Sequence, residues 1–589
     1  MDLTRILLDL EQSQLIWNDA ASQTVAFKHA LIQDSAYQSL TRSERRRLHG
    51  IVGRTLELLF ADRAADLADT LAKHFDEAGD KHHALTLYTR AAEMAAARSA
   101  NPEAAMLYGR AFQLALEIDA TDEQLVHLGN RRGRSFELAG HQVGALQHYS
   151  EMIAEGRRRG SWRLEMEGLA ASASLHAVPT EVFDVPEAMR KGELALRLAR
   201  EHSDRAAQSK ILWTQMRAAM EEPIRSLALG EESLAIARSL DLKEQIAFTL
   251  NDLQAIYIML GRFDKASQAV EEARDLWTTL NNLPMLTDSL ISLATQKIMG
   301  GDFSTALRLA REGLALSEKI GNLWGQAFAR MPIALIQFSR WTLGPLVETL
   351  ETCLDQAEQA GFIDPLVTMR SLLAVVMGLL GDTQAGMDHV EQAFRLAEKN
   401  TAWMTSAYAA RAVLWVTRGD LAQARADLDA LDSVGADPLS LTLESSFMAP
   451  LARLEVSLSA EDYDGGLAFV DQVISWSEKL GVRALTGRLL TYRGILLSRL
   501  ARVEEARRAL EEALEITRAQ ALDAAAWQPL AALATLEAGQ GNLDLALRLR
   551  RESGDWLETI ANGISDPRLR SSFRSTPAYR DVMEGVGNS

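Results

Sequence analysis

A single cysteine, Cys353, stands in a chain of 589 residues. That excludes an intrachain disulfide framework and a multi-cysteine metal site, and it fits a reducing compartment, so a cytoplasmic protein is expected. Proline is scarce at 13 residues, and no sustained run of alternating β-branched residues occurs. Little sheet is therefore expected beyond a short hairpin near the start. No stretch approaches about 18 consecutive apolar residues, so no membrane span is expected. The first ten residues already carry Asp2, Arg5 and Asp9, unlike a secretory leader. Positive charge is in deficit, with a formal net charge of −18. A general nucleic-acid binder needs a basic face, so nucleic acid is not an expected partner.

Chemical motifs are missing too. There is no G-x-x-x-x-G-K-[ST] phosphate loop, no G-x-S-x-G elbow and no His-x-x-x-His pair with a companion Glu. His82 and His83 are adjacent and so do not share a helix face, whereas His141 and His148 are spaced to share one. No cofactor, metal site or catalytic constellation is expected, and the chain is read as a non-enzyme.

What is present is Ala, Leu, Glu and Arg in abundance, a mix that favours helix, and a short signature that recurs about every 40 residues. A loop residue, often Gly, is followed two positions later by an apolar or aromatic anchor, and three positions after that by a small residue. The anchors are Phe183, Pro223, Phe263, Phe303, Leu343, Thr383, Leu421, Tyr463, Val503 and Leu543. A fixed period of this size means stacked supersecondary units, each burying its apolar face only against its neighbours.

Residues 243–280 show the unit. Ile246, Leu250, Leu253, Tyr257 and Leu260 recur at helical spacing. Gly261 should stop the first helix, because a left-handed backbone is cheap only for Gly. Phe263 should open the second, which runs through Ala266, Ala269, Val270, Ala273 and Trp277, with Asn281-Asn282 as the next turn. Small residues mark close helix approach: Ser226, Ala266, Ala306, Gly386, Ala424, Gly466, Ala506 and Ala546, then Ser233, Ala273, Gly313, Cys353, Ala393, Ala513 and Ser553. Cys353 is thus expected to be a small core residue. The pattern is degenerate where Trp341 and Glu461 replace the turn Gly and where Pro332 interrupts a helix. Tyr257, Gly261, Phe263 and Ala266 together resemble the tetratricopeptide repeat (TPR), in a long-helix variant. Upstream, Gly79 with Ala84 and Gly140 with Ala145 continue the register, while Asn101-Pro102 marks an extra turn that shifts its phase.

The ends carry a second resemblance. FKHALIQDSAY (Phe27–Tyr37), followed by the Arg-rich stretch with Arg42, Arg45, Arg46 and Arg47, resembles the junction between winged helix and repeats in STAND-type signalling ATPases, including bacterial ones. On that resemblance Leu10–Phe27 would be the last helix and wing, with Asn18-Asp19 as the turn, and a nucleotide-binding module would precede residue 1. The tail, with Gly563, Pro567 and Pro577, resembles the closing segment of the same proteins and is expected to cover the last helix pair. The Arg cluster itself is read as a solvated face or as salt bridges to a partner domain.

The expected fold class is all-α: tetratricopeptide-like helical hairpins forming a right-handed superhelical solenoid, with a small winged-helix-like remnant at the N-terminus. Four parts are expected: the remnant at 1–40, N-terminal repeats at 41–160 with a phase shift near 100, a main array of about ten repeats at 161–561, and a capping tail at 562–589.

The resemblance implies that the first helix of each pair faces a concave groove. Its groove positions select Phe248, Asn251, Ala255, Ile258 and Met259 in the 243–280 repeat, then Asp288, Thr295 and Met299, then Phe328, Met331, Leu335 and Phe338. A late unit offers Arg488, Thr491, Tyr492 and Arg499. A protein or peptide ligand is expected there, with Asn251 holding a ligand backbone or carboxylate. The leading functional expectation is the ligand-sensing region of a bacterial STAND-type signal-transduction ATPase. A constitutive assembly scaffold and a regulatory part of a transcription activator are the alternatives.

Overall fold

The structure, a computed structural model, describes residues 3–19, 24–63, 66–178, 180–220, 222–397, 401–434 and 443–587. Among them lie thirty α-helices and one two-stranded sheet. The chain divides into two compact units, Met1–Asp204 and Arg205–Ser589, so the main division falls inside the stretch read as one array from 161.

In the first unit, strands Ile16–Asp19 and Thr24–Phe27 pair antiparallel. Asn18 and Asp19 are strand residues opposite Val25 and Thr24, not the turn their type suggested. Ladder hydrogen bonds outweigh the local turn preference of Asn and Asp here. The Arg-rich segment forms the helix Arg42–Leu59, opened by a full capping box between Thr41 and Glu44. Helices Lys81–Ala97, Asn101–Glu117, Asp122–Leu138 and Gln142–Arg159 then succeed one another at nearly equal length. Phe75, Tyr108, Phe112 and Met152 fill the core between them.

The second unit is a regular stack of helical hairpins. Nine of the ten anchors, Pro223 through Leu543, are the first residue of a helix. Phe183 is the exception. Its helix opens at Val185, because Asp184 caps it by accepting from the Glu187 amide. From Lys243–Met259 onward each first helix is followed by one left-handed residue, whether Gly261 (φ 69°) or a non-glycine such as Trp341 or Glu461 (both φ 56°). The register therefore imposes the conformation even where the residue resists it. Every small residue singled out above is buried, and Cys353 is fully so, its Sγ donating to the Ala327 carbonyl at 3.3 Å. Pro332 does not interrupt its helix, which runs unbroken over Leu323–Ser339. Burial of this helix on nearly all sides offsets the one hydrogen bond that proline removes.

The two helices of a pair play different parts. From Pro365 to Gly378 nearly every residue of Ile363–Leu379 is buried, whereas its partner Thr383–Ala397 buries one stripe of Gly386, Met387, Val390, Ala393 and Ala397. First helices form an inner layer and second helices an outer one.

The inner layer meets itself further along the chain. The Arg483 amide donates to the Met299 carbonyl at 2.7 Å, and Trp341 meets Trp527 edge to face at 5.1 Å. Ser565 Oγ donates to Glu348 Oε1 at 2.7 Å across 217 residues. The tail helices Pro567–Arg574 and Pro577–Gly587 bury Leu569, Phe573, Tyr579 and Val582. They pack on Leu543–Asn562 and also reach Asp382 through Arg568 at 3.6 Å.

Two substitutions test this packing. A Cβ at Gly344 would collide with the Gly563 carbonyl, so Gly344→Ala should cost about 1–3 kcal/mol in denaturant unfolding and speed proteolysis of the tail. Glu461 is exposed and left-handed, so Glu461→Gly should stabilise by about 0.5–1 kcal/mol, the relieved strain exceeding the added chain entropy. Unchanged unfolding curves for both variants would contradict the packing described.

Candidate functional site

Four successive inner helices, Arg205–Ala218, Lys243–Met259, Leu283–Met299 and Leu323–Ser339, line a cavity of about 490 Å³. Equal repeat length places Phe248, Asp288 and Phe328, each 40 residues apart, along its inner wall. Trp213, Met216, Met285 and Trp324 complete the apolar lining. Trp213 and Phe248 lie 5.3 Å apart between ring centroids, and Trp324 and Phe328 5.0 Å. Trp324 remains 38% exposed, with the Phe362 ring stacked 4.8 Å away on one side of its indole.

Two carboxylates face this aromatic lining. Asp252 Oδ2 accepts from the Trp213 indole N–H at 2.8 Å and lies 3.5 Å from Arg217 Nε. The Arg217 guanidinium also sits 5.2 Å over the Trp213 ring. Asp288 accepts from the Asn251 amide. Both acids are ringed by protein yet touch solvent across the cavity; a third of the Asp252 side chain is accessible. Burial pushes the Asp288 carboxyl from 3.8 up to about 7, against the pull of the Asn251 hydrogen bond, with the neighbouring Asp252 charge adding to the rise and Arg217 easing it least. Burial raises Asp252 as well, opposed by Arg217 and by the Trp213 hydrogen bond.

The groove residues expected from the sequence thus fall in different places. Phe248, Asn251, Ala255, Asp288 and Phe328 come together on the cavity. Ile258, Met299, Met331, Leu335, Phe338, Thr491 and Tyr492 are buried in the core of the unit, while Met259 and Thr295 are half-buried. Arg488 lies among the self-contacts, 4.6 Å over the Phe338 ring and 6.0 Å from Trp341, beside a hydrogen bond from Tyr492 to Glu455. Burial lowers the Arg488 guanidinium and raises Glu455, and the two rings supply part of the compensation a buried cation needs. Arg499 is exposed, away from these contacts.

Asn251 is not free to hold a ligand. It is 4% exposed, its amide nitrogen donates to Asp288, and its oxygen accepts from Ser289 at 2.8 Å. Trp213, Asp252 and Trp324 escaped the sequence reading. Asp252 and Trp324 sit beside the chosen register positions, and Trp213 belongs to the preceding repeat. Among the described residues no group of three or more His, Cys, Asp or Glu side chains is placed to hold a metal ion. His148 is buried with Nε2 on the Gly129 carbonyl at 2.9 Å, whereas His141 stacks by Phe136. No helix among the described residues is long and apolar enough to cross a membrane.

No protein-family model and no curated protein matches the chain. Among solved structures, the crystal structure of the APC/C hetero-tetramer Cut9–Hcn1 is similar at a TM-score of 0.41 and 12% identity, over 85% of this chain and 96% of that one. The crystal structure of yeast Tom70 is similar at a TM-score of 0.29 and 14% identity, over 79% of this chain and 100% of that one. The described residues form a predominantly α-helical array of paired hairpins.

The Asp288 carboxyl gives a pH signature. A carboxyl whose folded pKa exceeds its unfolded value binds its proton more tightly when folded, so its contribution to stability falls as pH rises from about 4 through about 7 and levels above that. Asp288→Asn keeps an acceptor for Asn251 and removes the charge. It should stabilise the chain by about 1–2 kcal/mol at pH 8, a figure reduced for solvent contact, and by almost nothing at pH 4. Urea unfolding at the two pH values measures the difference; an equal effect at both would contradict the assignment.

Proposed function

We propose that this array is a protein- or peptide-binding region, non-catalytic by itself, whose inner face between Trp213 and Phe328 receives an extended segment of its partner. The observation that carries this reading is the cavity. There inner-layer aromatics stay open to solvent beside two carboxylates, of which Asp252 is paired with Arg217 and Asp288 has no cationic partner among the described residues. Its volume lies within the range of about 300–1,000 Å³ usual for binding sites, and concave solenoid faces are where such arrays bind.

In the fuller form of the proposal the chain is the ligand-sensing region of a STAND-type signal-transduction ATPase, with a nucleotide-binding module docked on the first unit. The FKHALIQDSAY string and the capped Arg-rich helix after it support this, with Arg45 seated 5.2 Å over the Tyr37 ring. So does apolar surface concentrated on residues 3–60: Trp17 is 61% exposed, Leu31 79% and Leu58 80%. Unpaired apolar surface at that density marks a contact site.

Photo-crosslinking in the host cell tests the binding reading. A photoreactive residue at Phe328 in the full chain should yield one discrete protein adduct that is lost when Trp324→Ala is added. The same residue at the outer-face position Glu312, which is exposed, should not yield it. Adducts of equal yield at both positions would overturn the inner-face assignment. For the sensor role, the recovered partner should change ATP turnover by the longer protein, and Phe328→Glu should abolish that response; turnover indifferent to the partner would overturn it.

A further inference from the structure

The cavity already contains one solved example of how it holds a positive charge. The Arg217 guanidinium sits over the Trp213 indole at 5.2 Å and beside the Asp252 carboxylate at 3.5 Å. Further along the same lining lie the same two kinds of group, a carboxylate (Asp288) one repeat beyond Asp252 and an indole (Trp324) three repeats beyond Trp213. Among the described residues no lysine or arginine forms an ion pair with Asp288 or lies over the Trp324 ring. Asp288 receives one hydrogen bond from an uncharged amide, and Trp324 stays open to solvent. Two carboxylates thus face one guanidinium in a concavity where water screens poorly, and the aromatic faces present their negative quadrupoles to the same space.

We propose that the cavity takes a basic side chain, arginine or lysine, from the bound peptide, its charged head between Asp288 and Trp324 and its aliphatic stem against Phe248 and Phe328. This rests on the reading that the inner face binds a peptide, and it names which peptides. It also replaces the expectation that Asn251 would hold a ligand carboxylate: Asn251 is engaged by Asp288 and Ser289, and an incoming carboxylate would meet two others. Charge complementarity extends beyond the pocket, since a chain of net charge −18 draws basic partners from a distance. An arriving cation would also let Asp288 ionise. The groups facing that carboxyl are Asn251, Asp252 and Arg217, and none of them supplies a free positive charge.

The test uses the full chain and four short fluorescent peptides, identical except for a central Arg, Lys, Gln or Glu between leucine and phenylalanine. Binding is read by anisotropy. The Arg and Lys peptides should bind about tenfold more tightly than the Gln peptide, as a cation held by both a carboxylate and an indole requires, and the Glu peptide more weakly still. Asp288→Asn should weaken the Arg peptide more than the Gln peptide and so narrow the Arg-to-Gln ratio. Trp324→Ala should likewise narrow the Arg-to-Gln ratio. Calorimetry near pH 7 in two buffers of different ionisation heat should show proton release with the Arg peptide, lost in Asp288→Asn. Equal affinity of the Gln and Arg peptides, or N-acetylarginine amide binding as tightly as the Arg peptide, overturns the basic-side-chain assignment and leaves inner-face binding standing or falling on the crosslinking result. Absence of binding by all four peptides overturns both. Thermal melting of each variant separates lost recognition from lost fold.

Discussion

Helix length is the constraint on which the second unit depends. Its hairpins are built largely from helices of about 17 residues, most of them followed by one left-handed residue, a length of three to five turns. Because the units match, residues 40 apart occupy equivalent places and fall into lines along the inner and outer layers. The small residues at fixed offsets let the paired helices close on each other, and their burial is complete or nearly so from Ser226 to Ser553. Trp341 and Glu461 show the strength of the constraint. Both accept a backbone conformation that costs about 1–2 kcal/mol for a residue with a Cβ, so that the next helix starts in register.

Regular stacking has a second consequence. Inner helices that bury one flank on their outer partners still present apolar residues on the other, and in this unit much of that surface is satisfied within the chain. Met299, Phe338 and Trp341 meet residues of the 483–527 stretch, and Gly344, Glu348 and Asp382 meet the tail. Contacts so distant in sequence carry a loop-closure cost that grows only slowly with length, so a few well-packed rings and backbone hydrogen bonds suffice to hold them. Self-contact draws in part of the apolar inner surface and leaves the span between Trp213 and Phe328 as an open concavity. The remaining cavity differs chemically from what was covered. Its acids outnumber its bases, and burial raises both acids, so a cation placed beside them would favour their ionised forms.

Much of this was legible in the sequence, and the limits are instructive. The anchors announced nine helix starts because an apolar residue just after a turn must cover the pair beneath it. Phe183 misled because Asp184 offered a better cap immediately before the helix began. Asn18 and Asp19 looked like a turn, but turn preference is weaker than pairing with Val25 and Thr24. Pro332 looked like a break, but the helix around it is held from nearly every side. The groove was half legible. Offsets of 40 found Phe248, Asp288 and Phe328 because they follow the repeat. The same offsets also chose Met331, Leu335 and Phe338, which face the identical way yet are covered, since contacts between residues so far apart in sequence leave no periodic trace. Trp213, Asp252 and Trp324 were missed because a cavity wall is wider than one row of a helix.

The claim that the inner layer closes on itself beyond Met299 is tested most directly by pulsed electron paramagnetic resonance between spin labels at Thr352 and Asp566, both exposed. Cys353 will not compete for label, being fully buried with its thiol pushed up to about 12 by desolvation. A narrow short-distance peak, broadened or lost in Gly344→Ala, is the predicted result. A broad, long distribution unaffected by that substitution would mean that the tail does not close on the helix Leu343–Ala360 and would contradict the closure described.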